Sequence, residues 1–212
     1  MNIEAYKSLR EECQAKNVTL VAVSKTKPVE DILELYNLSQ KDFGENYVQE
    51  LIEKEKQLPK DIRWHFIGHL QTNKVKQIIS FVHLIHGVDS LKLLQEINKQ
   101  SQKINKITNC LLQIHIAQEE TKFGLDEDEL NEIIRQFDNS AMKNVNVVGL
   151  MGMATNTDNE SQIRKEFQYL KSLQIKLSTV NCQLSTLSMG MTADYKIAIE
   201  EGSNMIRIGS LI

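Results

Sequence analysis

Leu20-Val21-Ala22-Val23-Ser24-Lys25-Thr26-Lys27-Pro28 is a short apolar run that ends in a lysine and is closed by a proline. The run is bounded by polar residues, too short for a buried helix, and reads as a strand. Pro28 then opens a helix, Val29 to about Leu38, because its fixed φ suits a first helical turn. Lys25 thereby stands where the strand ends. An amine at the rim of an apolar strand suits Schiff-base chemistry: packing around its stem desolvates the ammonium and frees the lone pair to attack an aldehyde. For this segment alone, a surface lysine that begins a loop is the plain alternative.

The same rhythm of short apolar and longer amphipathic segments runs through the chain. Strands are predicted at Leu20–Ser24, Asp42–Glu45, Trp64–Gly68, Leu84–Val88, Leu111–Ile116, Val145–Met153, Leu184–Met189 and Met205–Ile208. Helices are predicted near 28–38, 46–58, 73–80, 90–103, 126–137, 159–178 and 194–201. A further N-terminal helix carries Ile3, Tyr6, Leu9 and Cys13 at helical spacing. Ser90 can cap the helix that follows it, and Asp126 and Asp128 place negative charge at a positive helix end. Ile163, Phe167, Leu170 and Leu173 share one helical face. Strands alternating with helices predict a parallel sheet with helical crossovers. Eight such units predict closure into a single (β/α)8 TIM barrel, which leaves no exposed edge. An open doubly wound sheet is the alternative, but no G-x-G-x-x-G follows the first strand. With no linker or composition break, residues 1–212 read as a single barrel domain.

The chain has 212 residues, 41% hydrophobic and 25% charged, within the ordinary globular range. A net charge of −3 carries no electrostatic footprint for nucleic acid. No apolar run is long enough for a membrane span, and the charged N-terminus lacks the apolar core of a signal peptide. Three separated cysteines, Cys13, Cys110 and Cys182, argue for a reducing compartment, so the expected location is cytoplasmic. Cys110 and Cys182 begin apolar runs, where a buried, inert thiol is expected.

Chemistry in such barrels collects at the C-terminal ends of the strands. Those ends carry Lys25, Gly44-Glu45-Asn46-Tyr47, His65 leading into Gly68-His69, and Met151-Gly152-Met153. The last two strands end in Ser188-Met189-Gly190-Met191-Thr192 and Arg207-Ile208-Gly209-Ser210. Loops after strands 7 and 8 commonly hold a phosphate, and these two offer hydroxyls beside glycines. Arg207 adds a planar cation suited to a phosphate or a ring nitrogen. Taken singly, each glycine has the simpler reading of a tight turn.

Val23-Ser24-Lys25-Thr26-Lys27-Pro28, Phe43-Gly44-Glu45-Asn46-Tyr47-Val48-Gln49-Glu50, Trp64-His65-Phe66-Ile67-Gly68, Ser188-Met189-Gly190-Met191 and Arg207-Ile208-Gly209 form an ordered set. In that set the chain resembles the pyridoxal-phosphate homeostasis proteins, also called proline synthetase co-transcribed homologues. The resemblance implies a barrel of the alanine racemase N-terminal (fold type III) type. It implies pyridoxal 5′-phosphate (PLP) held as an internal aldimine on Lys25. It implies phosphate contacts from Ser188, Gly190, Met191, Thr192, Gly209 and Ser210, with Asn46, His65, Met151 and Arg207 lining the pocket. It further implies an intracellular carrier and regulator of PLP without established turnover. A monomer is expected because the second, dimer-forming domain of the racemases has no counterpart here, and PLP-dependent apoenzymes are the candidate partners for a hand-over at the barrel rim. The chain departs from the family pattern at Thr192, where serine is usual, at Ser210, where threonine is usual, and at His69, where proline is frequent. The pattern also runs on past Ile212, through a Phe-Gly and a basic tail.

A PLP-dependent amino-acid racemase is the alternative function. It needs two acid–base groups on opposite faces of the substrate carbon, and Lys25 supplies one. Gly68 to Val75 lacks the second glycine and the hydroxyl residue of a P-loop. His65 with His69, and His83 with His86, lack a carboxylate or cysteine to complete a metal site. Lys27, Lys74, Lys76 and Lys122 read first as a solvated face and second as a rim that guides an anionic cofactor. Glu119 to Gly124 reads as a polar loop placed to gate the mouth.

Overall fold

The computed structural model describes residues 2–119, 121–139, 142–178 and 184–212. Cys182, expected as a buried thiol, lies outside the described residues. The chain begins with α1 (Ile3–Ala15), β1 (Thr19–Val23), α2 (Val29–Asn37), β2 (Asp42–Glu45), α3 (Val48–Gln57) and β3 (Arg63–Phe66). A 3₁₀ turn (Thr72–Lys74) leads into α4 (Val75–Ile78), β4 (Leu84–Val88), α5 (Leu91–Lys103), β5 (Thr108–Gln113) and α6 (Glu127–Asn139). The chain continues through β6 (Val145–Met151), α7 (Glu160–Ser178), β7 (Thr186–Ser188), α8 (Tyr195–Glu200) and β8 (Met205–Ile208). Each strand pairs in parallel with the next, and β8 returns to β1 with Val21 opposite Arg207. The expected (β/α)8 barrel is the fold. Among the described residues no helix is long and apolar enough to cross a membrane.

Local chemistry sets the helix ends. Ser90 accepts a hydrogen bond from the Leu93 amide at 3.3 Å. Asp126 and Glu129 each accept from the other's amide, at 2.8 and 3.1 Å, a reciprocal cap at the start of α6. Alternation along the strands sends one face out to the helices. Leu20, Ala22, Phe43, Trp64 and Phe66 pack there with Ile32, Leu35 and Leu51. Each fully buried Leu or Ile in that shell contributes about 1.5–3 kcal/mol. The other face fills the barrel. Val21, Leu84, Leu111, Met151 and Met205 form a separate apolar cluster. They share the interior with the buried polar residues Asp42, His65, His86, Ser188 and Arg207.

Some expected bounds differ. The fifth strand is Thr108–Gln113, not Leu111–Ile116. Its polar first residues are satisfied at the barrel base, where Thr108 Oγ1 lies 2.8 Å from Ser101 Oγ. The apolar residues after it leave the sheet, with Ile114 bridging Leu125. The expected helix at 73–80 is a 3₁₀ turn followed by the short α4. β1, β3, β6 and β7 end before the apolar runs that suggested them, so the residues just beyond those strands are free to form loops.

Candidate functional site

The expected site residues fall into two tiers at the C-terminal end of the barrel. Inside, on inward-facing strand positions, lie His65, Met151, Ser188 and Arg207, all buried. On the rim lie Lys25, Asn46, Gly190, Met191, Thr192, Gly209 and Ser210.

The inner tier forms one hydrogen-bonded chain across the barrel. Asp42 accepts from Arg63 Nε at 2.7 Å and pairs with His65 Nε2 at 2.9 Å. His65 Nδ1 lies 2.9 Å from His86 Nε2, and His86 Nδ1 lies 3.1 Å from Ser188 Oγ. Arg207 Nη1 donates to Ser188 Oγ at 2.6 Å and Nη2 donates to the Gly152 carbonyl at 3.2 Å. A guanidinium can only donate and an ionised carboxylate can only accept. With neutral imidazoles the order of donation is then Arg207 to Ser188, Ser188 to His86, His86 to His65, and His65 to Asp42. In that order each link of the chain joins a donor to an acceptor, as buried polar groups require.

Electrostatics follow from this burial. Burial alone raises the Asp42 carboxyl, but hydrogen bonds from Arg63 and His65 overcome it and hold the group well below its ordinary value. Burial drives His86 well below the usual histidine value, reinforced by His65 and Arg207. Burial lowers the Arg207 guanidinium to about 10. Ser188, expected at a phosphate, is sealed inside the barrel with its hydroxyl committed to His86 and Arg207. Met151 belongs to the apolar cluster beneath it.

The rim is built from strand ends. Lys25 lies in the turn after β1 and is exposed. The expected desolvation of its stem is therefore corrected: β1 ends at Val23, two residues earlier, so apolar packing stops short of it. Among the described residues it makes no hydrogen bond or ion pair. Gly209 packs against Val23, and a Cβ there would lie 3.3 Å from the Val23 Cβ. This contact brings the loop after β8 alongside Lys25. Ser210 Oγ donates to Thr192 Oγ1 at 3.2 Å, joining the loops after β7 and β8. Gly190 has φ +101, a left-handed conformation that a side chain would strain. The Met191 amide is already used, donating to Asp194 Oδ1 at 2.6 Å. Burial raises the Asp194 carboxyl.

Asn46 sits after β2 with its Oδ1 buried and without a partner. Its backbone is pressed against Gly68, where a Cβ would lie 2.4 Å from the Asn46 carbonyl oxygen. An amide held in place with an unused polar atom has a hydrogen bond available to a ligand. An exposed amine, two facing hydroxyls and an unsatisfied amide fit the aldehyde, phosphate and ring substituents of PLP.

Other expectations resolve differently. His69 pairs with Asp89 at 3.0 Å and stacks on Phe123 at 4.3 Å. Lys122 is bound to the Ala154 carbonyl at 2.6 Å and to Glu119 at 2.9 Å, so it does not stand free in a basic rim. Glu119 also accepts from the Asn156 amide at 2.9 Å, tying its loop to the one after β6. Cys13 and Cys110 are buried free thiols, and burial raises both, Cys13 to about 11.

Sequence reasoning passed over Asp42 and His86 as site residues. The signal for His86 is its place two residues after Leu84, on the inward face of β4.

The fold defines a class: a closed parallel barrel of the alanine racemase N-terminal type. The family model "Alanine racemase, N-terminal domain" matches residues 3–212. The "Pyridoxal phosphate homeostasis protein" of Aquifex aeolicus is 41% identical over 195 residues, 91% of this chain and 85% of that protein. The protein of the same name from Schizosaccharomyces pombe is 36% identical over 207 residues, 96% of this chain and 86% of that one. PipY of Synechococcus elongatus, solved with PLP bound, superposes with a TM-score of 0.89 at 31% identity, over 98% of this chain and 97% of its own. The chain belongs to the pyridoxal phosphate homeostasis protein family.

Proposed function

We propose that this protein binds PLP at the C-terminal mouth of the barrel and holds it through Lys25 as an intracellular reservoir and carrier. One observation carries the reading: an unpartnered lysine and two hydroxyl-bearing loops meet at one rim, in a chain whose relatives bear the PLP homeostasis name. When bound, PLP supplies an aldehyde that condenses with a primary amine. The chain's own residues do the rest. Lys25 offers the amine. Thr192 and Ser210 offer hydroxyl donors for the phosphate, with the Gly190 and Gly209 turns bringing backbone close. Asn46 orients the ring edge. Arg207, held by Ser188 and the Gly152 carbonyl, would supply a fixed positive charge to the pocket. The recipients in this reading are PLP-dependent apoenzymes, and the carrier acts as a single-domain monomer in the cytoplasm.

We assign it no turnover of its own. A racemase needs a second acid–base group facing Lys25. Tyr47 stands at the N-cap of α3 with its ring exposed, and the Tyr195 hydroxyl is turned toward Glu12 of α1 at 3.5 Å. The test is an absorbance spectrum with added PLP, then borohydride reduction and peptide mass mapping. A single reduced adduct on Lys25 supports the reading. Adducts scattered over surface lysines overturn it. Release of racemised amino acid would replace the carrier with the racemase.

A further inference from the structure

Lys25 is exposed, yet the residues on both sides of it are held by a buried charged cluster outside the cofactor pocket. The Ser24 amide donates to the Gly44 carbonyl at 2.9 Å, and the Ser24 hydroxyl donates to Glu45 Oε1 at 2.6 Å. The Thr26 amide donates to Glu50 Oε1 at 2.6 Å. At the centre is Lys54 of α3, only 5% exposed. Its Nζ donates to the Ser24 carbonyl at 2.6 Å, to Glu45 Oε1 at 2.8 Å and to Glu50 Oε1 at 2.6 Å. Three acceptors use all three ammonium donors.

The turn needs such a clamp. Thr26 has φ +62, which a β-branched residue adopts only when its surroundings impose it. Lys54 and Glu50 impose it from beneath. A lysine side chain has free rotors, so the position of its amine depends on where its Cα is held. The clamp also accounts for part of the Phe43–Glu50 motif: Glu45, on the outward face of β2, meets Lys54 of α3, and Glu50, on α3 itself, meets the turn.

We propose that Lys54 is a positioning residue for Lys25, fixing the Ser24–Thr26 turn so that the amine is presented at the barrel mouth. This rests on the reading that Lys25 captures the PLP aldehyde. In that step the Lys25 ammonium first loses a proton to solvent. Its nitrogen then bonds the aldehyde carbon, and the carbonyl oxygen leaves as water as the C=N bond forms. Lys54 takes no part in this exchange and touches no reacting atom.

The test compares two ligands on the full chain. With PLP, the adduct is followed by absorbance. With pyridoxamine 5′-phosphate, which has the ring and phosphate but no aldehyde, binding is measured by calorimetry. In Lys54→Met the rate of adduct formation is expected to fall by about tenfold or more, the scale of a misplaced reactive group. Pyridoxamine phosphate affinity is expected to change by less than about twofold, and Lys54→Arg to recover much of the rate. Glu50→Ala, at a partly exposed position that spares the buried ammonium, is expected to slow the adduct by about threefold and serves where Lys54→Met does not fold. A wild-type rate of adduct formation in a folded Lys54→Met, or in Glu50→Ala where Lys54→Met does not fold, overturns the inference. An equal loss of both ligands also overturns it, since that marks a general structural role. Absence of a Lys25 adduct in the wild-type chain overturns the underlying function instead, and is seen before any variant is made.

Discussion

His86 Nε2 and His65 Nδ1 lie 2.9 Å apart inside the barrel, and the hydrogen bond between them ties the tautomer of each ring to the other. With both imidazoles neutral, His86 is the donor, because Asp42 at one end can only accept and Arg207 at the other can only donate. A carboxylate on the base side of the sheet is thereby linked to the guanidinium beneath the mouth through two imidazoles and one hydroxyl.

Neutral histidines in this chain predict a pH-dependent stability. Burial holds His86, and more weakly His83, below the usual histidine value. Below about pH 6.5 the unfolded chain binds protons that the folded chain refuses, so stability falls as pH falls. The expected slope is up to about 1.4 kcal/mol per pH unit for each such histidine. Urea denaturation between pH 7.5 and 5.5 measures it. His86→Gln should flatten the curve and leave the smaller His83 contribution; an unchanged slope would refute the neutral assignment.

Asp42 anchors the chain at its acidic end and also receives Arg63. Asp42→Asn keeps the size but removes the charge that orients His65. The expected cost is about 2 kcal/mol, the scale of a charge-assisted hydrogen bond. Thermal unfolding should shift down by about 4–8 °C for a chain of this size. A shift under about one degree would mean that Arg63 and His65 find other partners.

Lys25→Ala should abolish the borohydride-trapped adduct while retaining weak binding of PLP through its phosphate. Equilibrium dialysis with PLP, and with inorganic phosphate as competitor, separates the two contributions. A full-strength adduct in the variant would remove Lys25 from its assigned role.

Ser210 and Arg207 should behave differently because one is exposed and the other buried. Ser210→Ala deletes the hydroxyl that faces Thr192. It is expected to weaken PLP retention by about fivefold, near 1 kcal/mol, and to leave the melting temperature nearly unchanged. Arg207→Ala strips donors from Ser188 and from the Gly152 carbonyl and leaves a cavity. It is expected to cost about 3 kcal/mol of stability or more. Dialysis and thermal melts on the two variants decide, and similar profiles for both would dissolve the distinction between rim and interior.

Much of the fold was legible because periodicity is local. The runs at Asp42–Glu45, Leu84–Val88 and Met205–Ile208 are strands with the expected bounds, and Ser90 and Asp126 cap the helices they precede. The fifth strand was misplaced because Thr108 and Asn109 look like loop residues until their partners, Ser101 of α5 and Asn146 of β6, are known. Lys25 was singled out by its place after an apolar run, but its exposure was not legible, because that depends on β1 ending at Val23. Ser188 looked like a loop hydroxyl and is an interior one, since only the pairing of β7 with β8 turns it toward Arg207.

The sequence by itself determined the alternation of strands and helices, the closure of eight units into a barrel, and the ordered motifs that carry the family resemblance. These depend on spacing and residue type within a few turns of chain. Only the tertiary structure decided that Asp42, His65, His86, Ser188 and Arg207 form one chain of hydrogen bonds, and that Lys54 reaches back 30 residues to hold Ser24. Closing a cylinder brings strands far apart in sequence within about 3 Å of one another at their inward side chains, and no local pattern records which of them will meet.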